Sequence, residues 1–202
     1  SGDQAINVAG GVGSTVALDI SDLGGSASGN QTGNITIGGG VNATELKTSD
    51  TDFDLALASD ATKGGSVNIG SDTTLNNTGT VQIGGGDYGQ NAQISGKLDT
   101  TAASKVTLGA SVTTTTTQAY NEVELLRDVV LKTTDSTVDI NQTIDSDTSG
   151  PHSLTVQTGS GDINFDQAIG GTQALNNIIL DSTGAVTFDG AVTAGSLSSQ
   201  GG

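Results

Sequence analysis

Gly161-Asp-Ile-Asn-Phe-Asp-Gln-Ala-Ile169 and Gly184-Ala-Val-Thr-Phe-Asp-Gly-Ala-Val192 are near-copies, displaced by 23 residues. Gly161/Gly184, Phe165/Phe188, Asp166/Asp189 and Ala168/Ala191 coincide, and Ile is exchanged for Val at the other apolar sites. Each copy starts at a glycine and alternates apolar with polar residues, which is the pattern of a short strand bounded by turns.

The same unit recurs along the chain. Ile35-Thr-Ile37, Val67-Asn-Ile69, Val81-Gln-Ile83, Val106-Thr-Leu108 and Val138-Asp-Ile140 join Ile163-Asn-Phe165 and Val186-Thr-Phe188 in one series. Two apolar side chains spaced by two share one strand face, and the polar residue between them points the other way. Phe53/Leu55/Leu57, Leu154/Val156 and Ile178/Leu180 read as secondary strands between these. A longer pattern, Val67-x-Ile69-x-x-Asp72-x-x-Leu75, returns 56 residues later as Val123-x-Leu125-x-x-Asp128-x-x-Leu131. It draws residues 118–134, the one stretch that could pass for an amphipathic helix, into the strand series.

Composition agrees with a thin core drawn out along an axis. Of 202 residues 31 are Gly and only five are aromatic, with no Cys, Met or Trp. Apolar residues are mostly Val, Ile, Leu and Ala, spread evenly. The expected fold is all-β, a parallel β-helix (β-solenoid) with coils of roughly 20 residues. Nine or ten such coils, stacked about 4.8 Å apart, would span some 40–50 Å. Gly and Asn at the corners would supply positive φ. A β-sandwich is the alternative, disfavoured because the Asn-Gly or Asp-Gly hairpin signature is nearly absent. The chain reads as one elongated repeat segment over 1–202, with the repeat weakest in 1–32. Its start, Ser1-Gly2-Asp3, suggests a piece cut from something longer.

Charge narrows the partners. A formal charge of −16 disfavours nucleic acid and anionic membranes. No run of 18 apolar residues offers a membrane span.

Gln118-Ala-Tyr120-Asn121-Glu-Val123-Glu-Leu125, Ser153-Leu-Thr-Val156 and Gly161-Asp-Ile163-Asn-Phe165 carry a family resemblance. With Gly184–Val192, they resemble the repeat regions of filamentous haemagglutinin-like and β-strand-repeat bacterial surface exoproteins. Glu122 and Arg127-Asp128 depart from the small polar residues usual at such places. The resemblance implies a right-handed parallel β-helix, secreted or held at the bacterial cell surface, serving as an adhesin stalk or biofilm matrix component. It further implies a host, cell-surface or matrix component as partner.

Few residues suggest chemistry. Lyases on such folds need Arg or Lys beside acidic ligands, and this chain has one Arg, Arg127. Hydrolases need two facing carboxylates, which no motif selects here. The expectation is no enzyme and no required cofactor. His152, the single His, reads as a solvated loop residue. Calcium is the one metal that the residues suggest. Asp50, Asp52 and Asp54 would share a face if their segment were a strand, as would Asp145 and Asp147. The plainer reading of both clusters is a solvated acidic face. Tyr88 and Tyr120 are the only aromatics with a polar tip for a glycan. An uncapped end should expose strand edges and let isolated pieces associate end to end.

Overall fold

The computed structural model describes residues 4–8, 12–13, 17–20, 33–48, 50, 52–60, 62, 65–85 and 91–201. Among these residues there is no helix, and every strand pairing is parallel. This is a β-solenoid, and the sandwich alternative falls because hairpin-connected antiparallel pairs are absent from the described residues.

The chain begins with β1 (Gln4–Val8) and β2 (Ala17–Asp19), then β3 (Gly33–Ile37), β4 (Val41–Ala43) and β5 (Glu45–Lys47). Two coils follow: β6 (Phe53–Leu57), β7 (Val67–Ile69), β8 (Thr73–Thr74); then β9 (Thr80–Ile83), β10 (Asn91–Ile94), β11 (Leu98–Thr100). Next come β12 (Lys105–Leu108), β13 (Ser111–Thr114), β14 (Gln118–Tyr120), β15 (Val123–Leu125), β16 (Val129–Lys132) and β17 (Val138–Ile140). The last strands are β18 (Ile144–Ser146), β19 (Leu154–Gly159), β20 (Ile163–Phe165), β21 (Leu175–Ser182), β22 (Val186–Phe188) and β23 (Ala194–Gln200).

From β3 to β20 each coil contributes one strand to each of three sheets. Sheet A stacks β1-β3-β6-β9-β12-β15-β18, sheet B runs from β4 through β7, β10, β13, β16, β19 and β21 to β23, and sheet C runs from β2 through β5, β8, β11, β14, β17 and β20 to β22. Past β18, sheet A continues as single bridges from Ile144 to Ile169 and on to Val192.

Register turns the sequence repeat into a core. Ile163 pairs with Val186, Asn164 with Thr187 and Phe165 with Phe188, so the opening near-copies are adjacent rungs. Their 23-residue displacement is the length of that coil. The two Phe rings stack at 5.3 Å with planes 7° apart. Residues 118–134 form β14, β15 and β16, as their pattern foretold. Inward rows of Val, Ile and Leu, such as Val81, Val106, Val123 and Ile144 in sheet A, are wholly enclosed. At about 25 cal/mol per Å² of apolar surface, this burial is the dominant stabilising term.

Three expectations need correction. The first is the number of coils, whose lengths scatter around the expected value. Val106 to Val123 spans 17, Ala92 to Val112 spans 20 and Val81 to Val106 spans 25. The sheets hold seven, eight and eight strands in place of nine or ten levels. Second, the "secondary" strands at 53–57, 154–159 and 175–182 are full members of sheets A and B.

The third concerns the corner glycines, which serve mainly close approach. A Cβ on Gly161 would strike the backbone of Ser136 one coil below, and one on Gly184 would strike Gly161 in turn. Among the described residues positive φ falls on few glycines, such as Gly84 at +84°, and on Ala58 and Asp135, but on no Asn. Of residues 1–32, only 4–8, 12–13 and 17–20 are described, and Val16 lies outside them.

Candidate functional site

The carboxylates show what this surface does. Six Asp side chains each accept a hydrogen bond from a backbone N–H in the next coil. Asp72 Oδ1 receives Lys97 N at 2.9 Å, Asp128 receives Ser153 N at 2.7 Å, and Asp135 receives Ser160 N at 3.0 Å. Asp54 receives Thr80 N at 2.7 Å, and Asp162 receives Ala185 N at 2.8 Å. Asp145 receives both Thr172 N and Gln173 N, at 2.8 and 3.0 Å. Corner amides have no ladder partner of their own, and an unmade backbone bond is costly. The carboxylates satisfy these amides and tie coil to coil. Asn works in the opposite direction: Asn77 Nδ2 donates to Phe53 O at 3.1 Å, and Asn121 Nδ2 to Ala103 O at 2.8 Å.

The calcium candidates divide accordingly. Asp54 lies in β6, but Asp50 and Asp52 precede the strand, so the three do not share a strand face. Asp145 projects from β18 onto the next coil's loop, whereas Asp147 turns back on its own. Among the described residues no three His, Cys, Asp or Glu groups converge on one point. Asp54 and Asp145 carry structural hydrogen bonds that a cation would have to displace.

His152 is more enclosed than a solvated loop residue, with its side chain 17% exposed. Its Nε2 lies 2.9 Å from Asp147 Oδ1 and 3.3 Å from Ser149 Oγ. Ser149 also donates N–H and O–H to the same carboxylate oxygen, at 3.0 and 2.7 Å. Burial pushes the Asp147 carboxyl up, but hydrogen bonds from Ser149 and His152 outweigh this and hold it below the usual range. Serine, histidine and aspartate meet here without the geometry of a catalytic triad. In a triad one imidazole nitrogen holds the acid while the other takes the serine proton. Here one nitrogen faces both, and the trio closes the loop between β18 and β19.

Tyr120 is a core rung and offers no face to a glycan: it is fully enclosed, and its hydroxyl donates to Gln118 Oε1 at 2.8 Å. Tyr88 lies outside the described residues. Asp166 and Asp189 are exposed, as turn or outward positions should be. Glu122 is half-buried and pairs with Lys105 at 3.2 Å, a surface ion pair of small energetic weight.

Sequence reasoning missed the carboxylate clasps. Their signal was present as Asp72/Lys97, Asp128/Ser153 and Asp135/Ser160, each separated by 25 residues. Reading it required the coil length first. No protein-family model, curated protein or solved structure gives a significant match to this chain.

Proposed function

We propose that this chain is a structural repeat segment of a secreted bacterial adhesin or extracellular matrix protein, acting as a stiff spacer in surface adhesion and biofilm. The observation that carries the reading is uninterrupted stacking of three parallel sheets, reinforced at the corners by carboxylates that bridge consecutive coils. Such a rod resists bending because every coil is bonded to its neighbours along three lines. The family resemblance of residues 118–125, 153–165 and 184–192 supplies the secreted setting. An acidic sheath of charge −16 suits a long polymer that must stay soluble.

The test is immunogold labelling of producing cells with antibody against this chain. Label on the cell surface or in the matrix is expected, and label confined to the cytoplasm would overturn the proposal.

The isolated segment is further proposed to associate end to end. β23 is the last strand of sheet B, and beside its free edge Val192 and Leu197 are 37% and 49% exposed. Charge repulsion opposes contact, so association should grow as salt screens it. A strict monomer by sedimentation, at high protein concentration and 0.5 M salt, would remove this part.

A further inference from the structure

We infer that Asp189–Gly190 is a site of spontaneous backbone isomerisation, where the chain passes through a succinimide to isoaspartate and loosens the anchoring of β23. Asp-Gly occurs once in the sequence and Asn-Gly not at all. The near-copy in the coil beneath supplies the contrast. Asp166 and Asp189 follow the paired Phe165 and Phe188, and both are exposed. Gln167 comes after the first and Gly190 after the second.

The reaction needs a free carboxyl beside a free amide. Asp54, Asp72, Asp128, Asp135, Asp145 and Asp162 are each held by a backbone N–H of the next coil. The Asp189 side chain makes no hydrogen bond or ion pair among the described residues, and the Gly190 N–H donates to no acceptor among them. Glycine has no side chain to shield that nitrogen, and its backbone turns freely enough to close a five-membered ring. Gly190 N attacks Asp189 Cγ of the protonated carboxyl. The new C–N bond forms as the Cγ–hydroxyl bond breaks, and the hydroxyl departs with the amide proton as water. A second water then opens the ring at the Asp189 backbone carbonyl, which leaves the chain linked through Cγ with mass and charge unchanged.

This linkage lies where the fold has no slack. Asp189 N donates to Phe165 O at 2.9 Å, and two residues on Ala191 O accepts Ile169 N at 2.8 Å. Thr193 N returns to Ile169 O at 2.8 Å, and Val192 bridges Ile169 beside it. Gly190 rests so closely on the coil beneath that a Cβ would meet Ala168 N at 2.4 Å. Isoaspartate adds one backbone atom, about 1.5 Å of chain, between the first of these bonds and the others. Both sets cannot then stay in register. The pairing of β23 with β21 starts at Ala194, directly after them, and loses its fixed start.

The experiment ages the whole chain at neutral pH and body temperature for several weeks, then locates isoaspartate by electron-transfer fragmentation of its peptides. Isoaspartate at Asp189 should exceed that at Asp166 about tenfold or more, because the two sites differ in how freely the attacking amide can be oriented. Hydrogen exchange of the isomerised fraction should be faster than in fresh protein over 191–200 and unchanged over 138–146. Asp189→Glu cannot close the five-membered ring and should abolish both effects, with a circular dichroism melt to check that the solenoid persists. Three results would each overturn the proposal: no excess of isoaspartate at Asp189 over Asp166, isoaspartate at Asp189 only when the chain is aged in urea, or unchanged exchange over 191–200 in the isomerised fraction.

Discussion

Phe165 and Phe188, Ile169 and Val192, and Ile178 and Leu197 occupy equivalent places in adjacent coils. Phe165, Ile169 and Ile178 are enclosed, whereas Val192 is 37% and Leu197 49% exposed, and Phe188 is half-buried. The residues are of one kind, so what differs is the presence of a coil on the far side. Stability in this molecule belongs to the contact between coils more than to any coil alone, as expected for a quasi-one-dimensional stack. The hydrogen bonds obey the same rule. Asp162 reaches up to Ala185, and Gly184 leaves room for the backbone of Gly161 beneath it.

The strongest way to break this comparison is to empty equivalent rungs. Phe165→Ala should cost about 3–5 kcal/mol, the usual range for an enclosed Phe. Phe188→Ala, open on one side, should cost about 1–2 kcal/mol. Urea melts followed by circular dichroism would measure both. Equal losses would mean that the last coil is as well packed as the ones beneath it.

Next in size is close approach at the corners. Gly161→Ala pushes a methyl group into the backbone of Ser136, and overpacking of this sort costs about 1–3 kcal/mol. Gly171→Ala meets only the Ala168 methyl, at 3.5 Å, and should fall within about 0.5 kcal/mol of the parent. Thermal melts of the two variants separate glycine needed for space from glycine merely present in a turn.

These two pairs also mark how far the sequence could be read. Period-two alternation found strands in every sheet, because a side chain on a pleated strand either faces the core or does not, but β4, β5, β8, β10, β11, β13 and β23 went unread. It could not say on which of the three sides a strand lies. Val67-Asn-Ile69 and Val81-Gln-Ile83 read alike, yet they belong to sheets B and A. Side is set by turn length, and fully described turns range from the single residue between β4 and β5 to the nine between β20 and β21. The 23-residue copy, by contrast, joined true neighbours. The burial of Tyr120 and the partners of the six bridging carboxylates stayed out of reach for a related reason. A buried hydroxyl needs one partner, and a corner carboxylate needs an amide a coil away, and neither partner is near in sequence.

A smaller effect tests the clasps. Asp162→Ala removes the acceptor for Ala185 N and should cost about 1 kcal/mol. Asp162→Asn keeps a carbonyl oxygen in place and should restore most of that loss. If Asn and Ala behave alike, the carboxylate contributes through charge and not through the hydrogen bond. Asp72, which receives Lys97 N, offers an independent repeat in an earlier coil.

The smallest expected effect is pH dependence, and its sign follows from two carboxyls. Burial pushes Asp99 up, but hydrogen bonds from Thr101 and the nearby Lys97 charge outweigh it, so its pKa lies below the ordinary value, as does that of Asp147. A carboxyl depressed on folding contributes stability above its unfolded pKa, about 3.9, and loses it as pH falls through the lower folded value. Between pH 7 and 5 these two groups should therefore change nothing, and below about pH 4 they should destabilise the fold. Protonation of the other carboxylates works the opposite way, relieving the repulsion of a −16 molecule. The difference between parent and the Asp99→Asn, Asp147→Asn variant isolates the first effect from the second. The variant should show a flatter fall in melting temperature below pH 4 than the parent, and superimposable acid limbs would mean that neither local hydrogen-bond cluster stabilises the coils it lies in.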